Sequence, residues 1–88
     1  LDIYPKFYMI KDKINLNENF DFDQLKNKMK EFYKEQDIDL RDGVKIKFDE
    51  SWLHIRKSNT EPIIRIYTEA KSQLKCNEII EDFKNLIS

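Results

Sequence analysis

Glycine is nearly missing from this sequence: Gly43 is the only one in 88 residues. Dinucleotide and nucleotide loops need two or more glycines to let backbone approach phosphates, so those classes are excluded. Cysteine is equally scarce. Cys76 stands alone, which excludes an internal disulfide. With His54 as the single histidine, a Cys/His zinc cluster is excluded as well. Neither charge sign is in excess, since 16 Lys+Arg against 17 Asp+Glu gives a net charge of −1. A general polyanion-binding surface is therefore not expected, and any anion site must be local. No apolar run approaches the ~20 residues needed to cross a bilayer. No signal-peptide pattern opens the chain. A cytoplasmic protein without a membrane partner is the expectation. The sequence starts at Leu1 rather than Met and reads as a piece of something longer.

What is present supports one domain with one core. A chain of this size buries roughly 60–65% of the surface its unfolded form exposes, which is too little to enclose a deep active site alone. No repeat, low-complexity stretch or linker interrupts it. Phe7-Tyr8-Met9-Ile10 predicts a short strand, and Lys11 to Asn19 a polar connection with some strand character at Ile14 and Leu16. Asp21 predicts a helix start, with Gln24 three residues on and a Phe20/Leu25 staple around the cap. Phe22, Leu25, Met29, Phe32 and Tyr33 then share one helical face, and the helix should end near Gln36.

Asp42-Gly43 predicts a turn, because Gly tolerates positive φ. Three strands follow: Val44 to Phe48, Trp52 to Arg56 and Ile63 to Glu69, each with alternating faces. Ser72 predicts the cap of a second helix whose stripe is Cys76, Ile79, Ile80, Phe83 and Ile87. The order β-α-β-β-β-α makes an α+β domain with a four-stranded, mainly antiparallel sheet. Both amphipathic helices are expected on its aliphatic face. The other face, with Trp52, His54, Arg56, Arg65 and Tyr67, is expected to meet another domain or a ligand.

The segment Arg56-Lys57-Ser58-Asn59-Thr60-Glu61-Pro62-Ile63-Ile64-Arg65 carries the candidate chemistry. Three of the basic residues are Arg, and two of those bracket this loop. A guanidinium recognises an oxyanion with two forked bonds, whereas Lys supplies a point charge. Ser58, Asn59 and Thr60 are short donors between them, in a turn whose backbone N–H groups can converge on an anion. Pro62 stiffens the loop exit. The two arginines lie at the ends of adjacent strands and project to one side, a credible phosphate clamp. On residue types alone, the same segment also fits a common polar β-turn with surface arginines beside it.

The stretch Asp42-Gly43-Val44-Lys45-Ile46, followed by Trp52 through Ala70, resembles the C-terminal domain of the α-D-phosphohexomutases. It matches that family's R-x-S-[GN]-T-E-P-x-x-R…E-A signature completely. The resemblance covers the whole chain in length and element order. It implies a TATA-binding-protein-like fold that forms the fourth domain of a larger enzyme. That enzyme would move a phosphoryl group between O6 and O1 of a hexose phosphate, through a phosphoserine and a bisphosphorylated intermediate. The phosphoserine and the Mg²⁺ ligands would lie in other domains of the same chain. This domain would grip the phosphate that is not being transferred, using Arg56, Ser58, Asn59 and Thr60, with Arg65 as the second guanidinium. Lys57 would contribute at most its backbone, and Glu61 and Pro62 would order the loop. Asn59 stands where glucosamine-type enzymes carry Gly, which favours the phosphomannomutase/phosphoglucomutase branch. The fragment alone is expected to be inactive, with no catalytic or metal-binding residue of its own.

Other residues have plainer readings. Cys76 lies on an apolar stripe and is expected in the core. His54 beside Trp52 reads as a packing residue, and Trp52 and Tyr67 as rings packed on a neighbouring domain. The Lys-rich face of the first helix reads as solvated surface. Asp37, Asp39 and Asp42 fail the calcium-loop pattern because Gly is misplaced and no Glu stands at the twelfth position. The rival reading is a free-standing interaction module binding single-stranded nucleic acid or another protein through the aromatic sheet face. The charge of −1 argues against nucleic acid.

Overall fold

A computed structural model describes residues 7–17, 20–58 and 61–87. The elements are β1 (Tyr8–Asn15), α1 (Phe22–Phe32), β2 (Asp37–Asp39), β3 (Val44–Lys47), β4 (Trp52–Lys57), β5 (Ile63–Ala70) and α2 (Gln73–Ile87). The strands form one sheet in the order β1-β5-β4-β3-β2. Every neighbouring pair is antiparallel. The α+β architecture follows the alternation in the sequence, but the sheet has five strands rather than four.

Two differences from the sequence reading have physical causes. The first strand does not stop at Ile10: it runs to Asn15, paired residue by residue with β5. Ile10, Asp12 and Ile14 point toward the helices, and Lys11 and Lys13 point away, as the register with Thr68, Ile66 and Ile64 requires. An acid at an inward position hid the alternation. The fold satisfies it from α2, where Lys84 Nζ lies 3.1 Å from Asp12 Oδ2. The second difference is β2, an Asp-Ile-Asp strand of three residues. Ile38 sits opposite Ile46 and packs against the core. Asp39 is fixed by the Arg41 guanidinium at 2.8 Å, which holds its carboxyl far below the usual carboxylate range.

Both helix starts are capped as expected. Asp21 Oδ1 accepts the N–H groups of Asp23 and Gln24 at 3.0 and 3.2 Å. Ser72 Oγ accepts the Lys75 N–H at 3.1 Å. The first helix ends at Phe32, short of Gln36, because the chain turns at Tyr33 to reach β2. Phe32 is more than half exposed (55%) and stacks edge-on against Tyr33 instead of joining the core.

One cluster joins Leu25 and Met29 of α1, Cys76, Ile80 and Phe83 of α2, and the inward residues of the sheet. Helix α2 lies across β5 and β1. Two buried polar groups are paired, since Thr68 Oγ1 donates to the Trp52 carbonyl at 2.7 Å and Cys76 Sγ donates to the Tyr8 carbonyl at 3.1 Å, whereas the buried Tyr33 hydroxyl has no partner among the described residues. Burial raises the Cys76 thiol pKa, so this sulfur is a core atom. No described helix is long and apolar enough to cross a membrane. With both helices on one side, the opposite face of the sheet is left open.

Candidate phosphate-binding site

The open face is built from the outward residues of the strands. Lys11 and Lys13 come from β1, and Lys45 and Lys47 from β3. Trp52, His54 and Arg56 come from β4, and Arg65, Tyr67 and Glu69 from β5. Arg56 and Arg65 are direct cross-strand partners, and both are exposed. Like charges placed opposite each other repel, because the side chains leave the sheet only ~5 Å apart. A sheet tolerates that arrangement at low cost when an anion is shared between them.

The hairpin joining β4 and β5 sits at this end of the sheet. The Ser58 N–H donates to the Ile63 carbonyl at 3.1 Å, which closes the hairpin mouth. The Ile63 N–H donates to the Glu61 carbonyl at 2.8 Å. That contact makes a three-residue turn centred on Pro62, whose fixed φ suits the position. The Pro62 carbonyl in turn accepts the Leu16 N–H at 2.7 Å, which ties the loop exit to the end of β1. Pro62 thus anchors the loop as well as stiffening it. Asn59 and Thr60 lie outside the described residues.

The arginines have different surroundings. Arg56 Nε lies 3.5 Å from Asp42 Oδ1, and these side chains are 51% and 67% exposed. An ion pair this open is weak, so Arg56 can exchange it for a ligand at little cost. Arg65 has no ion-pair partner among the described residues. It borders a shallow concavity of about 360 Å³ lined by Lys11, Asp12, Lys13, Arg65 and Tyr67. Arg56 is not among that lining; it leans toward the Asp42-Gly43 turn instead.

Neighbours that the sequence reading took as packing residues or did not single out hold this frame. His54 Nε2 lies 2.7 Å from the Asp42 carbonyl, so that nitrogen carries the proton and donates. His54 therefore fixes the turn that carries Asp42, and its ring lies 6.2 Å from Tyr67. Lys45 Nζ sits 5.0 Å above the Trp52 ring, which makes this Trp part of the charged face. Lys13 stands opposite Arg65 on the far side from Arg56. Only the correct length of β1 would have exposed that neighbour, and the inward Asp12 concealed it.

Comparisons with known proteins bear on the same residues. The family described as phosphoglucomutase/phosphomannomutase, C-terminal domain, matches residues 13–86. A phosphoglucosamine/phosphogalactosamine mutase from Sulfurisphaera tokodaii is 35% identical over 88 residues, covering 98% of this chain and 19% of that protein. A phosphoglucomutase/phosphomannomutase from Thermococcus kodakarensis is 41% identical over 83 residues, covering 92% of this chain and 18% of that protein. A phosphomannomutase from Methanocaldococcus jannaschii is 38% identical over 61 residues, covering 69% of this chain and 14% of that protein. The chain thus spans less than a fifth of the length of these relatives. The matched span runs from the second half of β1 through the hairpin with its paired arginines to the end of α2, and on that ground the chain belongs to the phosphoglucomutase/phosphomannomutase family as a C-terminal domain.

Proposed function

We propose that this chain is the substrate-phosphate-binding domain of a cytoplasmic phosphohexomutase. The intact enzyme interconverts hexose 6-phosphate and hexose 1-phosphate through a bisphosphorylated intermediate. Arg56, Ser58, Asn59, Thr60 and Arg65 hold the phosphate that is not being transferred. The observation that carries this reading is the placement of Arg56 directly opposite Arg65 at the mouth of a proline-anchored hairpin. The chain supplies binding and orientation. The phosphoserine and the Mg²⁺ ligands belong to other domains. Among the described residues no three His, Cys, Asp or Glu side chains are grouped to hold a metal ion.

Phosphoryl transfer depends on positioning and charge stabilisation more than on covalent chemistry by side chains. A grip on the remote phosphate holds the sugar in place whichever end reacts. A guanidinium pair recognises a tetrahedral dianion without regard to which carbon bears it, which suits an intermediate that reverses in the cleft. A site on a separate domain also lets domain closure exclude water. The branch is proposed as glucose or mannose on the strength of Asn59. The names of relatives divide between those sugars and glucosamine.

Amide NMR spectra recorded during titration with inorganic phosphate, glucose 6-phosphate and mannose 6-phosphate test the reading. Shifts confined to the Arg56–Arg65 segment are expected, and unmoved resonances at millimolar ligand count against it. In the intact enzyme Arg56→Ala should lower kcat/KM about 10- to 150-fold, the value of a charge-assisted contact, while leaving this domain folded. An unchanged kcat/KM refutes the role of Arg56.

A further inference from the structure

The paired arginines are part of a longer row. Lys13 on β1 is the register partner of Arg65 on β5, and Arg65 is the partner of Arg56 on β4. Three cations therefore stand side by side on three adjacent strands, at the end of the sheet where the hairpin closes. Strands lie about 4.8 Å apart, so the row spans roughly 10 Å between its outer backbones. Side chains as long as Lys and Arg are able to reach across that span to a single phosphoryl group.

Of the nearby acids, Asp42 offsets Arg56 only through an open contact at 3.5 Å. Asp12 borders the same concavity, but its carboxylate is already engaged: Oδ1 accepts the Lys13 N–H at 2.7 Å and Oδ2 meets Lys84 at 3.1 Å. Among the described residues neither Lys13 nor Arg65 has an ion-pair partner. Both line the concavity of about 360 Å³ beside the hairpin. Lys11 shares that concavity but stands one row away, opposite Tyr67.

From this juxtaposition we propose that Lys13 is a third cation of the phosphate site, contacting the same phosphoryl group as Arg65 from the β1 side. The assignment rests on the reading of the hairpin as a phosphate grip. Arg56 and Arg65 define orientation through forked bonds, and Lys13 adds charge without geometry. Its contribution is to favour a doubly charged phosphate and to be screened by salt.

The test is titration of this chain with inorganic phosphate, reading the backbone amides and the Lys13 side-chain Cε and Nζ resonances. In the wild type the Lys13 side-chain signals should move in step with the hairpin amides. Lys13→Met should weaken phosphate binding roughly fivefold and flatten its salt dependence. Lys13→Arg should restore most of the affinity. Lys30→Met, on the outer face of α1, should leave binding unchanged and controls for net charge. Unmoved Lys13 side-chain signals, or an unchanged Kd in Lys13→Met while Arg56→Ala loses binding, overturn the role of Lys13 and leave the hairpin reading standing. Equal losses in Lys13→Met and Lys30→Met overturn it too. A wild-type chain that gives no response overturns both.

Discussion

Gly43 has φ of +68°, and a Cβ built there would meet the Ile55 carbonyl oxygen at 2.2 Å. Both penalties fall on backbone, which cannot rotate aside as a flexible side chain does. Gly43→Val should therefore cost at least about 2 kcal/mol, combining left-handed strain with displacement of β4. For a domain of this size that lowers the melting temperature by roughly 10 °C or more. A thermal melt by circular dichroism checks it, and a normal midpoint would refute the assignment. The turn was legible from Asp42-Gly43 because positive φ is a local demand. Its consequence for the site was not legible. Asp42 reaches Arg56, and the Asp42 carbonyl accepts from His54, only because β3 and β4 fold back on each other.

Among the elements, β1 and β2 show where local patterning fails. The β3, β4, β5 and helix segments are regular enough to be read from alternation and 3.6-residue spacing. In β1 an acid occupies an inward position, and in β2 acids flank a single Ile, a composition depleted in strands. Partners outside the local pattern hold them: β5 pairs with β1 along its length and Lys84 meets Asp12, while Ile46 faces Ile38 across the β2–β3 pair. The pair at Asp12 gives a pH signature. The Lys13 N–H, and after it the Lys84 ammonium, hold the Asp12 pKa below its ordinary value. A depressed folded pKa adds stability that is complete above the unfolded value of about 3.9 and is lost as pH falls through the folded value. Asp12→Asn should be less stable than wild type near neutral pH, and the difference should shrink as pH falls below the ordinary carboxylate value of about 3.9. Urea unfolding midpoints across that range measure it. A gap that persists undiminished in acid would show that charge at Asp12 is not the source.

Across the whole molecule, α2 ties the strands together, with Phe83 fully buried between helix and sheet. Phe83→Ala should cost about 3–5 kcal/mol, a large part of the 5–15 kcal/mol typical of a folded domain. The variant should melt far below wild type and lose amide dispersion in its NMR spectrum; a near-native melt would mean the core closes around the gap. The same packing sorts the charge. A net charge of −1 conceals an open face on which Lys11, Lys13, Lys45, Lys47, Arg56 and Arg65 outnumber Asp37, Asp39 and Glu69, while both helices cover the other side. The sequence by itself determined the helices, the central strands, the Gly43 turn and the family, because periodicity, caps and a contiguous signature are local properties. Only the tertiary structure decided that β1 continues past an inward acid and that Lys13, Arg65 and Arg56 stand in one row. Register between strands far apart in the chain is fixed by which side chains share the core, and a linear order of residues does not contain that information.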